Sequence, residues 1–527
     1  MRVLRRLGRT VVGIAQFMGR RPVTEPALPR LAVTNWTSAL PRRGELRRRV
    51  MMTAFRNRTW IEWAVYAACH LRRLEVATTL VYSSSEVRRL YPLSRLTGVD
   101  QLGFWAGVEA IPNIRLVDMD EWRPTPGEAA AYEDLAREFA PTVAAYDLHV
   151  EENEGGPLAR AYQRAVAVSE ERLAAAGGAL DRILRENPVS RLVCFSGLIG
   201  PSPAFCEAAR RAGVEVLTVE GWTWRPGHMI CNLNAPALEY NLEGWLRAVG
   251  TWDARREEES GRLFRFQEGA LAEGEAPPGN LYSVQRKPSN APLPPAVAAF
   301  RERRGPTFLL ATNVVGDSSI LRREPIFRSQ RDWVRETIEF FRARPDWNLI
   351  IRAHPDEVKI AQKVVVRMGD VARELAGAAP NVLVVGADED VSSYALMPGL
   401  SGGLVWISSI GVDMVARGIP VLSVARPKYE SLHLVEQPPT IPTYFEALIR
   451  IACSPARPTA DQQARARQYL DVVFGQFSFD AFSPSYRARD LFLDGPESPR
   501  DADVFYRIVA GDLPPETPPR REAQRVA

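Results

Sequence analysis

Cysteine is scarce: Cys69, Cys194, Cys206, Cys231 and Cys453 are scattered, with no CxxC pair and no zinc-ligand spacing. This excludes a disulfide framework and a structural metal of the usual kind, and it fits a reducing compartment. No run of about eighteen uncharged apolar residues occurs, which argues against a helical membrane span. Neither GxGxxG nor GxxxxGK[ST] is present, so ordinary dinucleotide and P-loop chemistry lack their glycine cradles. There is no tandem repeat. Histidine is also rare, with five in the chain, so one placed at a strand end is informative.

What is present is enough chain for more than one core. At 527 residues, two domains with extra segments are expected. The net charge is only +4, but it is unevenly spread: Met1 to Val50 holds twelve arginines against Glu25 and Glu45. Residues 1–50 therefore read as a basic leader. Within it Leu4, Leu7, Val11, Ile14 and Met18 recur at helical spacing, with Arg2, Arg5, Arg6 and Arg9 largely elsewhere on the wheel. That is the pattern of a helix lying on an anionic membrane surface; the alternative is a frayed basic leader, since Gly8 and Gly13 weaken a helix. A weak apolar stretch interrupted by Gln16, without a small-residue cleavage site, does not read as a signal peptide.

Along the rest of the chain, helical spacing over Trp60 to Arg73 leads into the strand-like VATTLVYSSSE. Helical periodicity then runs from about Glu128 to Glu186, broken once at EENEGG, Glu151 to Gly156. RLVCFSGLIG, PAFCEAARRAG and VEVLTVEGW read as strand, helix and strand, the mark of a parallel sheet with crossover helices. A Pro-, Gly-, Ala- and Glu-rich stretch follows. Then come five apolar runs, TFLLAT, NLIIRA, NVLVVG, GLVWIS and PVLSVA, separated by helical stretches. The fold class is therefore α/β, two Rossmann-like domains facing a central cleft. Expected boundaries are 51–266 for the first domain with its helical insertion, 267–305 for a linker and 306–455 for the second domain. A C-terminal helix is expected in 456–494 and a mobile, disordered tail in 495–527.

Three strand ends carry chemistry. In NLIIRAHPDE, Arg352 and His354 stand at the carboxyl end of an apolar run, with Pro355 biasing His354 toward an extended backbone. A guanidinium and an imidazole there can meet an anion, or the ring can simply cap a turn. In WISSIGVDMVARG, Ser408, Ser409 and Gly411 open a helix, an anion-binding arrangement that is also ordinary capping, and Asp413 can bond a ribose or sit near the positive helix end. In ATNVVGDSSI, Asn313 and Asp317 leave the first strand; Asp317 can act as nucleophile or base, or fill a turn. In the first domain Glu220, Trp222 and Trp224 follow a strand where they can line the cleft or pack into the core and a loop.

The order TNVVGDSS, IIRAHPDE, SSIGVDMVARGIPVL, ARPKY resembles the bacterial capsule polysaccharide biosynthesis proteins, which include Kdo-transferase-like glycosyltransferases of GT-B fold. The resemblance runs over roughly Pro306 to Phe445 and more weakly over Arg191 to Tyr240. It implies a metal-independent glycosyltransferase of GT-B type without cofactor, using a nucleotide-sugar as co-substrate, CMP-linked if the sugar is Kdo. It implies catalytic Asp317 and His354, and a nucleotide-sugar site of Asn313, Arg352, His354, Ser408, Ser409, Gly411 and Asp413. The glycan or glycolipid acceptor would enter beside Glu220, Trp222 and Trp224. Two departures stand out: Asn313 replaces a loop glutamine, and Asp413 a glutamate. The expected place is the cytoplasm, with peripheral contact to the inner face of the plasma membrane through the basic leader. A non-catalytic glycolipid- or polysaccharide-binding protein coupled to capsule assembly or export is the alternative. Nucleic acid is not an expected partner, because no recognition module or interleaved aromatics accompany the arginines.

Overall fold

The computed structural model describes residues 48–55, 58–86, 108, 113–152, 158–221, 228–249, 261–270, 287–359, 366–454, 456–473, 479–480 and 502–515. The leader helix expected within Met1 to Arg21 lies outside them. Among the described residues no helix is long and apolar enough to cross a membrane.

The first lobe is built on β1 (Arg48–Ala54), β2 (Val76–Tyr82), β3 (Ile114–Asp118), β4 (Arg191–Phe195), β5 (Glu215–Gly221) and β6 (His228–Leu233). Its sheet order is β12-β6-β5-β4-β1-β2-β3, where β12 is Phe479–Asp480. β1 to β5 are parallel, and β6 runs antiparallel to β5. The central strand β1 starts inside the segment expected to be leader. Arg48 and Arg49 are exposed and continue the arginine run, whereas Val50 to Ala54 are buried, so the charge pattern masks the strand's start. α1 (Arg58–Arg73) packs on β1 and β2, and α4 (Ser202–Arg211) on the other face. The expected helical insertion is a hairpin of α2 (Glu133–Leu148) and α3 (Ala159–Glu186).

The second lobe has β7 (Thr307–Ala311), β8 (Asn348–Arg352), β9 (Val382–Val385), β10 (Gly402–Val405) and β11 (Val421–Ser423), all parallel, in the order β11-β10-β7-β8-β9. Buried strands covered on both faces read as unbroken apolar runs, which is why β7, β8, β10 and β11 were legible; β9, at the edge, is half-buried over Val382 to Val384.

Two boundaries differ from expectation. α5 (Leu242–Val249) and α6 (Arg262–Glu268) precede the linker, yet Leu238, Leu242 and Trp245 belong to the apolar core that contains β10 and β11 side chains. Gln267 is buried against the second lobe, and the segment assigned to linker holds a helix, α7 (Pro295–Arg301). After α10 (Ala460–Asp471), the chain returns to the first sheet through β12, and then α11 (Ala502–Ala510) packs on α1. The expected mobile tail is thus corrected within 502–510. Phe505, Tyr506, Ile508 and Val509 are all buried, at roughly 1.5–3 kcal/mol each, enough to order a short helix. Tyr506 stacks on His70 at 4.5 Å.

Candidate functional site

Register places Ala311, Arg352, Val405 and Ser423 in one row across the second sheet. The residues that follow them leave the sheet along one edge. Chain order reverses between β7 and β10, the point where open α/β sheets bind ligands.

Thr312 and Asn313 exit β7 buried, and the Asn313 N–H donates to Gln330 Oε1 at 2.9 Å. Gln330 opens α8 (Gln330–Arg342). Thr312 Oγ1, Asn313 Oδ1 and Gln330 Nε2 are buried without a hydrogen-bond partner among the described residues. Since buried polar atoms are normally satisfied, a polar ligand would gain most here. Asp317 is half-buried and accepts the Ser319 hydroxyl. Its loop is held by the first lobe. Gly316 has φ +72° and lies so close to the His149 backbone that a Cβ would come within 2.5 Å of it. Glu151 accepts the Gln330 N–H, Glu152 accepts the Arg322 N–H at 3.2 Å, and Leu321 joins the apolar cluster of Ala144, Val150 and Tyr162.

His354 Nδ1 accepts the Asp356 N–H at 3.2 Å, so the neutral ring carries its proton on Nε2. The ring therefore caps its own turn. Ser408 and Ser409 are half-buried, with no side-chain hydrogen bond among the described residues. The Ser408 carbonyl accepts the Tyr429 hydroxyl at 2.9 Å, and Gly411 leaves room for that contact, because a Cβ there would lie 2.7 Å from the Tyr429 oxygen. Ser409 precedes α9 (Ile410–Ala416).

Two expected ligands of the nucleotide are placed otherwise. Arg352 is buried, and its donors go to the carbonyls of Gly386 and of Val391, the latter at 3.0 Å, and to Ser393 Oγ at 3.3 Å. Burial brings the guanidinium down to about 10, against the opposing pull of Glu389, Asp388 and Glu357. Arg352 pins the loop after β9 instead of offering a fork to phosphate. Asp413 is also interior, in a buried polar group with Gln267, Tyr394 and Arg417. Gln267 Nε2 donates to the Tyr394 hydroxyl at 3.0 Å and Arg417 Nη2 to Gln267 Oε1 at 3.2 Å. Burial raises the Asp413 carboxyl to about 6, while Arg417 and Gln267 pull it back. Trp222 and Trp224 lie outside the described residues.

Sequence reasoning missed the charged group where the lobes meet. Tyr240, which packs on the same core as Leu238 and Trp245, and Lys428, just past β11, touch: Nζ is 3.4 Å from the phenol oxygen and 5.0 Å from the ring centre. Asp317 and Glu220 both act electrostatically on this pair. Beside them Arg323, fully buried, pairs with Glu239 at 2.9 Å, and Arg426 approaches the same carboxylate at 3.5 Å. The available signal was the ARPKY motif, which stands at a strand exit like the others. Glu220 also lines a small pocket with Thr53, Phe55, Trp60, Phe195 and Phe205, at the carboxyl ends of β1, β4 and β5.

No curated protein matches. Among solved structures, a KpsC β-Kdo 2,7 transferase from Thermosulfurimonas dismutans is 14% identical, covering 55% of this chain and 79% of that one, with a TM-score of 0.32. A UDP-GlcNAc 2-epimerase from Neisseria meningitidis bound to UDP-GlcNAc is 11% identical, covering 81% and 99%, with a TM-score of 0.24. S. aureus MnaA with UDP is 10% identical, covering 80% and 94%, with a TM-score of 0.27. Residues 293–448, which hold Asn313, Asp317, His354, Ser408, Ser409 and Lys428, match the model of the capsule polysaccharide biosynthesis protein family.

Proposed function

We propose that this protein is a GT-B-type glycosyltransferase that moves a sugar from a nucleotide-activated donor onto a glycan or lipid-linked acceptor in capsule or surface polysaccharide synthesis. The observation that carries the reading is the set of buried, unpartnered polar atoms, Thr312 Oγ1, Asn313 Oδ1 and Gln330 Nε2, at the strand-order reversal of the second sheet. In this reading the Ser408 and Ser409 hydroxyls and His354 Nε2–H bind the donor's phosphate, supporting the leaving group as charge develops. Asn313, Thr312 and Gln330 supply polar contacts to the sugar or nucleotide. Asp317 works at the anomeric carbon. As a nucleophile it would form a covalent glycosyl-enzyme and retain configuration; as a base it would activate the acceptor and invert. CMP-Kdo is the donor that the family resemblance favours, and the acceptor enters over Glu220.

Thermal-shift measurements against CMP, UDP, GDP and CDP test the donor side. One nucleotide should stabilise the protein clearly above the others, and no response to any would count against the proposal. Asp317→Asn should keep that response and lose donor hydrolysis. Nucleotide or glycan binding by the wild type with no turnover would favour the binding-protein alternative.

A further inference from the structure

A carboxylate removed from water is costly unless hydrogen bonds replace its lost solvation. Glu357, three residues after His354, is 1% exposed, more deeply buried than Asp413 or Asp471. Both of its oxygens go to backbone: Oε1 accepts the Met368 N–H at 2.9 Å and Oε2 the Gly369 N–H at 3.3 Å. These N–H groups open the helix Met368–Ala376, whose preceding residue, Arg367, gives no side-chain cap. An acid from eleven residues upstream thus supplies the cap that the local sequence lacks, at the positive end of the helix. Burial pushes its carboxyl up, and the two N–H groups pull it back.

The same residue is tied to His354. Its N–H donates to the His354 carbonyl at 3.1 Å, while the Asp356 N–H donates to His354 Nδ1 at 3.2 Å. Just before the ring, the Ala353 N–H donates to the Val385 carbonyl at 3.0 Å, and the helix start lies so close that a Cβ on Gly369 would come to 3.0 Å from Ala353 Cβ. The turn that carries the imidazole is therefore held by β9 on one side and by the helix start on the other, with the Glu357 carboxylate joining turn to helix. We propose that Glu357 is a positioning residue that fixes the His354 imidazole by clamping the turn after β8 onto the first N–H groups of the helix Met368–Ala376. This deepens the transferase reading, in which His354 meets the donor's phosphate; the clamp itself does not depend on that reading. Without the carboxylate the turn is no longer fastened to the helix, the Asp356 N–H loses its alignment on Nδ1, and the ring is no longer held in one tautomer.

With five histidines in the chain, the full-length protein labelled with 15N-histidine gives few imidazole signals, and His354→Asn identifies the one of interest. At a pH where the ring is neutral, wild-type His354 should show the tautomer protonated at Nε2, and Glu357→Ala should shift it toward a mixture of both tautomers. Calorimetric titration with CMP against cytidine, and with UDP against uridine, reads the consequence for binding. For the pair that binds, Glu357→Ala should weaken the nucleotide about tenfold and leave the nucleoside within about twofold, because only the phosphate meets the ring. In a His354→Asn background the same substitution should cost the nucleotide less than about twofold, since residues acting through one contact are not additive. Glu357→Gln keeps one of the two acceptors and should fall between wild type and Glu357→Ala; where Glu357→Ala does not fold, this variant shows the same selective loss to a lesser degree. Equal losses for nucleotide and nucleoside, full additivity with His354→Asn, or an unmoved His354 signal would overturn the proposal. If phosphate adds nothing to wild-type binding while the His354 signal still moves, the donor-phosphate reading fails and the clamp stands.

Discussion

In the first lobe the parallel strands run β5-β4-β1-β2-β3, and in the second β11-β10-β7-β8-β9, so each sheet reverses its order beside its own first strand. What leaves the sheets at those points differs. The first lobe presents Phe55, Trp60, Phe195 and Phe205 around Glu220, a mostly apolar pocket. The second presents Asn313, Asp317, His354, Ser408, Ser409 and Lys428, a mostly polar rim. One architecture used twice therefore supports two surfaces of different chemistry, and function has to be argued from the loops rather than from the fold. The aromatic side suits the apolar faces of sugar rings, and the polar side suits a phosphate and a reacting centre.

The comparison can be broken most directly at its two carboxyl-bearing sides. Asp317→Asn should lower donor turnover about a thousandfold, while Trp60→Ala in the aromatic pocket should leave donor hydrolysis within about threefold. Steady-state kinetics on both variants checks this, and equal losses would erase the division of labour. The next effect is on stability. Phe505 anchors the returning chain on the first lobe, against Trp63 at 6.2 Å, and Phe505→Ala should cost about 3–5 kcal/mol in denaturant unfolding. A loss near zero would mean that α11 is not part of that lobe's core.

A smaller effect concerns pH. The Asp413 carboxyl, raised from 3.8 to about 6, binds a proton in the folded chain at pH values where the unfolded chain has released it. Stability should therefore fall as pH rises through that window and stay lower above it. Asp413→Asn removes the loss, so relative to wild type it should gain up to about 3 kcal/mol between about pH 4 and pH 7.5. Urea unfolding at the two pH values measures this, and an unchanged difference would mean that the carboxyl is not buried as described. The smallest change is expected from Ser408→Ala or Ser409→Ala. Each should weaken nucleotide binding by about 1 kcal/mol, roughly tenfold at most, in calorimetric titration.

Legibility followed burial. Four strands of the second sheet could be read because both of their faces are covered, the half-buried edge strand β9 by its apolar run alone, and the α2–α3 hairpin because its apolar spacing is sustained around one acidic break. β1 was hidden by two exposed arginines at its start. α11 was hidden because a nine-residue helix surrounded by prolines and arginines becomes ordered only through the α1 surface it covers. Among the site residues, Asn313, Asp317, His354, Ser408 and Ser409 were visible as polar groups immediately after apolar runs. Arg352 and Asp413 looked the same in sequence, yet their side chains turn inward, toward loop carbonyls in one case and toward Gln267 and Arg417 in the other.

The amino-acid sequence by itself determined the alternation of strand and helix, the two-lobed division and the strand ends at which polar residues gather, because these depend on local periodicity and on apolar runs. Only the tertiary structure decided which of those polar groups face the lobe junction and which are consumed inside. It alone brought Tyr240 to Lys428, and returned residues 502–510 to the first lobe. Such pairings depend on contacts between residues far apart in the chain, and no local pattern records them.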